Sequence, residues 1–136
     1  TSKKPKKILL MLGTNSVATM EVDYFISQYR KLLQDIKSAS PDTLIIVQSI
    51  FPVASSLDST GKALNNDKIN KLNYHLLKLC SELNIPFLNT AEALKDANGQ
   101  GKAEYFRTLG NENGVHLTQA GNQVAMDYFK THVYEN

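Results

Sequence analysis

The segment Gly114-Val115-His116-Leu117-Thr118-Gln119-Ala120-Gly121 contains the histidine with the clearest chemical setting in this sequence. Thr118 is predicted to cap a helix, because its hydroxyl can accept hydrogen bonds from the N–H groups of a first helical turn. Apolar residues at helical spacing follow, namely Val124, Ala125, Tyr128 and Val133. His116 is therefore expected in a loop that enters a helix, where an imidazole is held firmly and still meets a substrate. It could contact a substrate there, or it could be a structural histidine in a turn.

A second polar group follows the apolar run Ile8–Leu12, which is typical of a strand buried on both faces in a parallel sheet. The run ends in Gly13-Thr14-Asn15-Ser16, a turn sequence at the carboxyl end of that strand. Asn15 lies at the strand end where ligands of such sheets bind, so its side chain could contact a ligand. Asparagine is also a common turn residue, so a purely structural role is the alternative.

Strands and helices are predicted to alternate along the whole chain. The predicted strands cover residues 8–12, 44–52 and 85–88, and the predicted helices cover 20–38, 66–83, 91–96 and a segment after Thr118, with loops at 54–61 and 98–113. This order favours an α/β fold with a parallel sheet between helical layers. Ligands bind such folds beyond the carboxyl ends of the strands, so Asn15 and His116 are expected to share one cleft.

Composition narrows the classes of function. With 136 residues, 42% of them hydrophobic, the chain fits one soluble globular domain. A net charge of +2 is too small to indicate a nucleic-acid partner, and no apolar run is long enough to span a membrane. The sequence has neither a cluster of metal ligands nor a glycine-rich phosphate loop, so no metal or cofactor is expected. The one cysteine, Cys80, is predicted to pack in the core, and it fits a cytoplasmic or a secreted protein alike.

Three segments in this order resemble the SGNH (GDSL-like) hydrolase family: the Gly13-Thr14-Asn15 strand end, Ile50-Phe51-Pro52-Val53, and the Gly114–Thr118 loop. The resemblance extends over nearly the whole chain. It implies a three-layer αβα sandwich and the activity of a metal-free serine esterase, lipase or carbohydrate deacetylase. It also implies that Asn15 helps to form the oxyanion hole and that His116 is the general base.

The sequence departs from the family pattern at three points. The family's Gly-Asp-Ser block, with its serine nucleophile, and a second glycine block precede the Asn15 strand, and neither is present here. We therefore expect residues 1–136 to be the C-terminal part of a single SGNH-like domain; the chain also begins with Thr1 rather than Met. Ser16 replaces the usual aspartate after Asn15. Asn113 stands where the family has the acid partner of the histidine, and Glu112 is an alternative partner.

These observations leave two main hypotheses. In the first, the chain is part of a serine esterase for a small-molecule or carbohydrate ester, and alone it is inactive because the nucleophile is missing. Its own candidate serines are expected to be structural or solvated: Ser16, Ser49, Ser55 and Ser56. In the second, the chain is an inactive SGNH-like module that binds a sugar or a protein. A weaker alternative is a flavodoxin-like domain in which the motifs are coincidental.

The resemblance has one consequence for partners. In the family's strand order, the strands that precede the Asn15 strand lie beside it. We therefore expect the edge formed by Ile8–Leu12 to be covered by a second polypeptide, by self-association or by the termini of the chain, because bare apolar strand edges promote pairing.

Overall fold

A computed structural model describes residues 6–14, 16–107 and 114–132. The strands are β1 (Lys7–Leu10), β2 (Leu44–Gln48) and β3 (Phe87–Leu88), and the α-helices are α1 (Val22–Ala39), α2 (Ser55–Asp58), α3 (Asn66–Leu83) and α4 (Gln119–His132). Two 3-10 helices cover Thr90–Leu94 and Ala103–Tyr105. The predicted alternation of strands and helices is confirmed. The short helix α2 was not predicted and lies in a segment expected to be a loop.

The three strands form one parallel sheet in the order β1-β2-β3. Leu9 of β1 lies opposite Ile46 of β2, and Val47 lies opposite Phe87 of β3. The third strand is shorter than the predicted 85–88, because the N–H of Ile85 donates to the carbonyl of Cys80 at the end of α3. Since all strands run the same way, their carboxyl ends meet at one edge of the sheet, as the sequence predicts.

Helices α1 and α3 pack on one face of the sheet and enclose the main hydrophobic core. Ile45 and Val47 of β2 contribute to this core, and Leu33 of α1 and Leu72 of α3 are completely buried in it. Cys80 also lies here, 1% exposed, and burial raises the pKa of its thiol to about 11. The predicted core position of Cys80 is confirmed, and this thiol stays protonated and out of reach of a substrate.

The opposite face of the sheet packs on the Thr90–Leu94 helix, which α4 covers in turn. Gln48 accepts a hydrogen bond from the hydroxyl of Thr90 at 2.7 Å, and the hydroxyl of Ser49 accepts one from the N–H of Ala91 at 3.0 Å. A second, smaller hydrophobic cluster holds this layer together, and its buried members are Ala54, Leu94 and Phe106. The three-layer αβα arrangement inferred from the sequence is therefore present.

The predicted burial of β1 on both faces is wrong for the chain as described. Leu9 is 43% exposed and Leu12 is 45% exposed. Leu9 shares its face of the sheet with the buried Ile46, yet Leu9 itself is exposed to solvent. A continuous apolar run indicates that a strand needs cover on both faces, but it does not show which element provides that cover.

Candidate active site

The loop that carries His116 is fixed by hydrogen bonds at both of its ends. The N–H of Arg107 donates to the carbonyl of His116 at 2.8 Å, and the N–H of Gly114 donates to the carbonyl of Arg107 at 2.7 Å. At the far end, the hydroxyl of Thr118 accepts from the N–H of Gly121 at 3.2 Å and donates to the carbonyl of Glu104 at 2.8 Å. Thr118 is thus the predicted cap of α4, and His116 lies in the loop that enters this helix.

Two glycines give this loop its close packing. Gly114 has a φ of +77°, in the left-handed region that favours glycine. Gly121, in the first turn of α4, lies directly against the carbonyl oxygen of Tyr105, where a Cβ would collide with that atom. The pattern of the sequence does not explain a glycine inside this helix; the close approach of the Ala103–Tyr105 helix does.

A cavity of about 340 Å³ opens beside His116, at the carboxyl edge of the sheet. The segments that follow β1 and β2 border this cavity together with the histidine loop and the start of α4. Its lining residues are Met11, Thr14, Phe51, Pro52, Val53, Val115, His116, Leu117 and Asn122. His116 is exposed, so its imidazole is open to a ligand that enters this cavity. The walls are mainly apolar with a few polar side chains, as is usual for small-molecule sites.

The structure brings His116 and Thr14, the residue before Asn15, to the same cavity. The positions of Asn15, Glu112 and Asn113 lie outside the described residues. Ser16 borders a different cavity of about 410 Å³ between the exit from β1 and α1, and Ser49 is buried. Among the described residues that line the His116 cavity, none is a serine or a cysteine.

Sequence reasoning missed two residues of the cavity wall, Met11 and Asn122. Asn122 lies four positions after Thr118, and helical spacing from the cap could have placed it on the same side of α4 as the histidine loop. Met11 also accepts a hydrogen bond at its sulfur from the amide of Gln48, at 3.0 Å, which ties the exit from β1 to β2.

The described part of the chain contains no group of three or more His, Cys, Asp or Glu side chains that could hold a metal ion. None of the helices in residues 6–14, 16–107 and 114–132 combines the length and the apolar character that a membrane span requires.

Comparison with known proteins identifies relatives of this arrangement. The model of the GDSL-like Lipase/Acylhydrolase family matches residues 1–124. A search of curated protein sequences gives no significant match. A solved protein of Streptococcus pneumonia, provisionally assigned as a platelet activating factor, is similar to 95% of this chain with 28% identity and a TM-score of 0.83.

Two further solved structures share the fold at lower identity. A GDSL-like lipase from Bacteroides thetaiotaomicron matches 93% of this chain and 61% of its own, with 22% identity and a TM-score of 0.75. The OSK domain of Drosophila Oskar matches 98% of this chain and 65% of its own, with 13% identity and a TM-score of 0.79. The chain spans 60% of the length of the Streptococcus protein.

Proposed function

Because this chain belongs to the GDSL-like lipase/acylhydrolase family, we propose that it forms part of a serine esterase that works through an acyl-enzyme. The substrate class is a short acyl ester or an O-acetyl group on a carbohydrate. One observation carries this proposal: an exposed histidine, His116, lines the same cavity as Thr14 at the carboxyl edge of a parallel sheet. That edge is where enzymes with this architecture bind their ligands.

In the proposed reaction, the nucleophile is a serine outside these 136 residues. Its oxygen attacks the ester carbonyl carbon while His116 takes its proton. The carbonyl oxygen becomes an oxyanion, which the side-chain amide of Asn15 stabilises by a hydrogen bond. His116 then passes the proton to the departing alkoxide, and the alcohol leaves an acyl-enzyme. Water, deprotonated by His116, attacks the acyl group and releases the acid and the free serine.

Asn113 is proposed to orient the imidazole of His116. Its amide oxygen can accept a hydrogen bond from Nδ1–H, but it supplies no negative charge to stabilise the imidazolium. An Asp→Asn change at the corresponding position of a serine protease lowers kcat by roughly 10⁴. The esterase is therefore expected to be slow, unless Glu112 provides the carboxylate instead.

The test uses hydrolysis of p-nitrophenyl acetate by a protein that carries these residues together with the nucleophile. His116→Ala should lower kcat at least about a hundredfold, the lower range for loss of a general base. His132→Ala is the matched control, since this exposed histidine lies at the end of α4, and it should leave the rate unchanged. Full activity of His116→Ala would contradict the proposal. So would turnover by the 136-residue chain alone that Ser16→Ala abolishes.

The neutral side chain of Asn113 also favours a second candidate, an inactive SGNH-like module that binds a sugar or a protein partner. The change Asn113→Asp, made in the protein with the nucleophile, separates the two functions. A large gain in esterase rate supports a slow enzyme, whereas no hydrolysis by either form supports the binding module.

The exposed end of β1 is proposed to contact a further polypeptide, either a separate segment or a second copy of the chain. Leu9, Met11 and Leu12 are exposed. Met11 and Leu12 line the cavity of about 410 Å³, whose wall also includes Tyr29. The hydroxyl of Tyr29 is buried near the backbone of Leu12. Among the described residues, no atom forms a hydrogen bond of normal geometry with this hydroxyl. Burial raises the pKa of this phenol, so the group stays neutral and can donate to an incoming carbonyl.

A further inference from the structure

Two asparagines on α3 hold the backbone that follows β2. The Oδ1 atom of Asn66 accepts from the N–H of Val53 at 2.8 Å, and its Nδ2 donates to the carbonyl of Val53 at 2.9 Å. Asn73 makes the same pair of bonds with Ile50, at 2.7 and 2.9 Å. Each side-chain amide thus satisfies both polar groups of one residue, as a neighbouring strand would, and together they fix the wall of the His116 cavity.

Only the Asn66 end of this pair adjoins the histidine loop. The residue after Val53, Ala54, donates its N–H to the carbonyl of Gly114 at 3.0 Å. Gly114 is bonded to Arg107, which in turn donates to the carbonyl of His116. The position of the Val53–Ala54 backbone therefore determines where the loop that carries the imidazole lies. Asn73 instead holds Ile50, which lies three residues before Val53 and closer to the end of β2.

Asn66 is held firmly enough to act as an anchor. It is 4% exposed, its Nδ2 also donates to the side chain of Gln100 at 2.7 Å, and its own N–H donates to Asp58 at 2.7 Å. These hydrogen bonds hold the Val53 backbone in one position, because any displacement would leave buried polar groups without hydrogen-bond partners.

We propose that Asn66 is a positioning residue for the general base: it fixes Val53 and Ala54, and through Gly114 it places the His116 imidazole in the cavity. The catalytic meaning of this inference rests on the proposed esterase function, but the placement itself does not. A displacement of about 1 Å at a reacting group can lower a rate roughly a hundredfold, so a buried residue outside the cavity can still control catalysis.

The test compares Asn66→Leu with Asn73→Leu, the same change on the same helix. In ¹⁵N-labelled chain, the amide signals of Ala54 and Gly114 and the ring nitrogens of His116 should shift in Asn66→Leu and stay near their original positions in Asn73→Leu. Hydrogen exchange at the Ala54 amide should be roughly tenfold or more faster in Asn66→Leu only. If Asn66→Leu folds poorly, Asn66→Asp provides the comparison, because it keeps the acceptor for the Val53 N–H and loses the donor.

In the protein that carries the nucleophile, Asn66→Leu should lower kcat for p-nitrophenyl acetate about ten- to a hundredfold, with KM nearly unchanged. If the variants simply contained less folded protein, Asn73→Leu would lower kcat as well. Unchanged His116 ring signals in the Asn66 variants, or equal shifts in the Asn73 variant, would overturn the inference. The ring signals need no turnover, so they report on Asn66 even if His116→Ala shows that the esterase proposal is wrong.

Discussion

At the scale of single residues, Gly121 shows how a small side chain determines where the histidine loop lies. A glycine in a helix is ordinarily less favourable than alanine by about 1 kcal/mol. Here the carbonyl oxygen of Tyr105 occupies the space that a Cβ would need. The same contact lets Thr118 reach the carbonyl of Glu104 and cap α4 at once. Glycine at this position lowers the helix propensity of α4, but it allows α4 to pack closely against Tyr105 next to the site.

Gly121→Ala is expected to destabilise the protein by about 1–3 kcal/mol, the range for overpacking, despite the better helix propensity of alanine. The measurement is urea unfolding followed by circular dichroism. Ala120→Gly, at the exposed neighbouring position, calibrates the propensity effect and should cost about 1 kcal/mol. A Gly121→Ala variant more stable than the original would show that α4 can move away from Tyr105 without cost.

At the scale of elements, α3 has the better-defined ends of the two long helices. Its N-cap, Asn65, accepts a hydrogen bond from the N–H of Lys68 at 2.9 Å, and its C-cap, Asn84, adopts the left-handed conformation with a φ of 55°. The N-cap of α1 is Glu21, whose side chain makes no capping bond. Since α3 also carries Asn66, its firm start keeps the anchor of the histidine loop in register.

The capping difference gives a matched pair of variants. Asn65→Ala should lower the free energy of unfolding by about 1 kcal/mol, because it leaves the Lys68 N–H without its acceptor. Glu21→Ala removes a side chain that makes no such bond, and it should change stability by less than about 0.5 kcal/mol. Chemical denaturation of both variants measures the difference, and equal losses would mean that capping does not distinguish these helices.

Elements with a strong local pattern could be predicted from the sequence. The helix over 66–83 has the predicted bounds. Thr118 caps the start of α4 and Asn84 caps the end of α3, as expected, because capping depends on neighbouring residues. Exposure of Leu9 and the anchoring role of Asn66 could not be predicted. Both depend on what lies opposite in space, and an asparagine in a helix resembles a solvated one until its partner is known.

The candidate site was predictable only in part. The family resemblance indicated His116 and Thr14's neighbour Asn15, and the parallel sheet brings the β1 exit and the His116 loop to one cavity. The contribution of Met11 depends on how the exit from β1 packs in space, which no local pattern encodes, whereas helical spacing from Thr118 could have indicated Asn122. The roles of Asn15 and Asn113 remain predictions from the resemblance.

At the scale of the whole molecule, one side of the sheet differs from the other. β2 lies between two strands and is buried, whereas in the described residues β1 pairs only with β2. Leu12, just beyond β1, lines the larger cavity together with Tyr29, whose buried hydroxyl has no hydrogen-bond partner among the described residues. Leu9 of β1 is exposed as well. An apolar strand edge of this kind favours association unless another polypeptide covers it.

Leu9→Lys is therefore expected to reduce self-association of the 136-residue chain, because a lysine on an edge strand opposes further pairing. Sedimentation velocity over a range of protein concentrations provides the measurement. Leu77→Lys is the control: Leu77 is 50% exposed on α3, far along the chain from β1, and this variant adds the same charge. A chain that is monomeric at every concentration, with or without Leu9→Lys, would contradict contact with a second copy and leave a separate segment as the proposed partner.

The two hydrophobic clusters differ in size, and this difference affects the order in which parts of the molecule unfold on heating. Leu117 of the histidine loop and Val124 of α4 pack against the smaller cluster around Phe106, whereas the sheet with α1 and α3 encloses the larger one, to which Val115 is the loop's contact. Regions with fewer buried apolar contacts open at lower free-energy cost than the rest. The C-terminal layer can therefore melt as a separate cooperative unit, so that the imidazole is released from its cavity while the sheet is still intact.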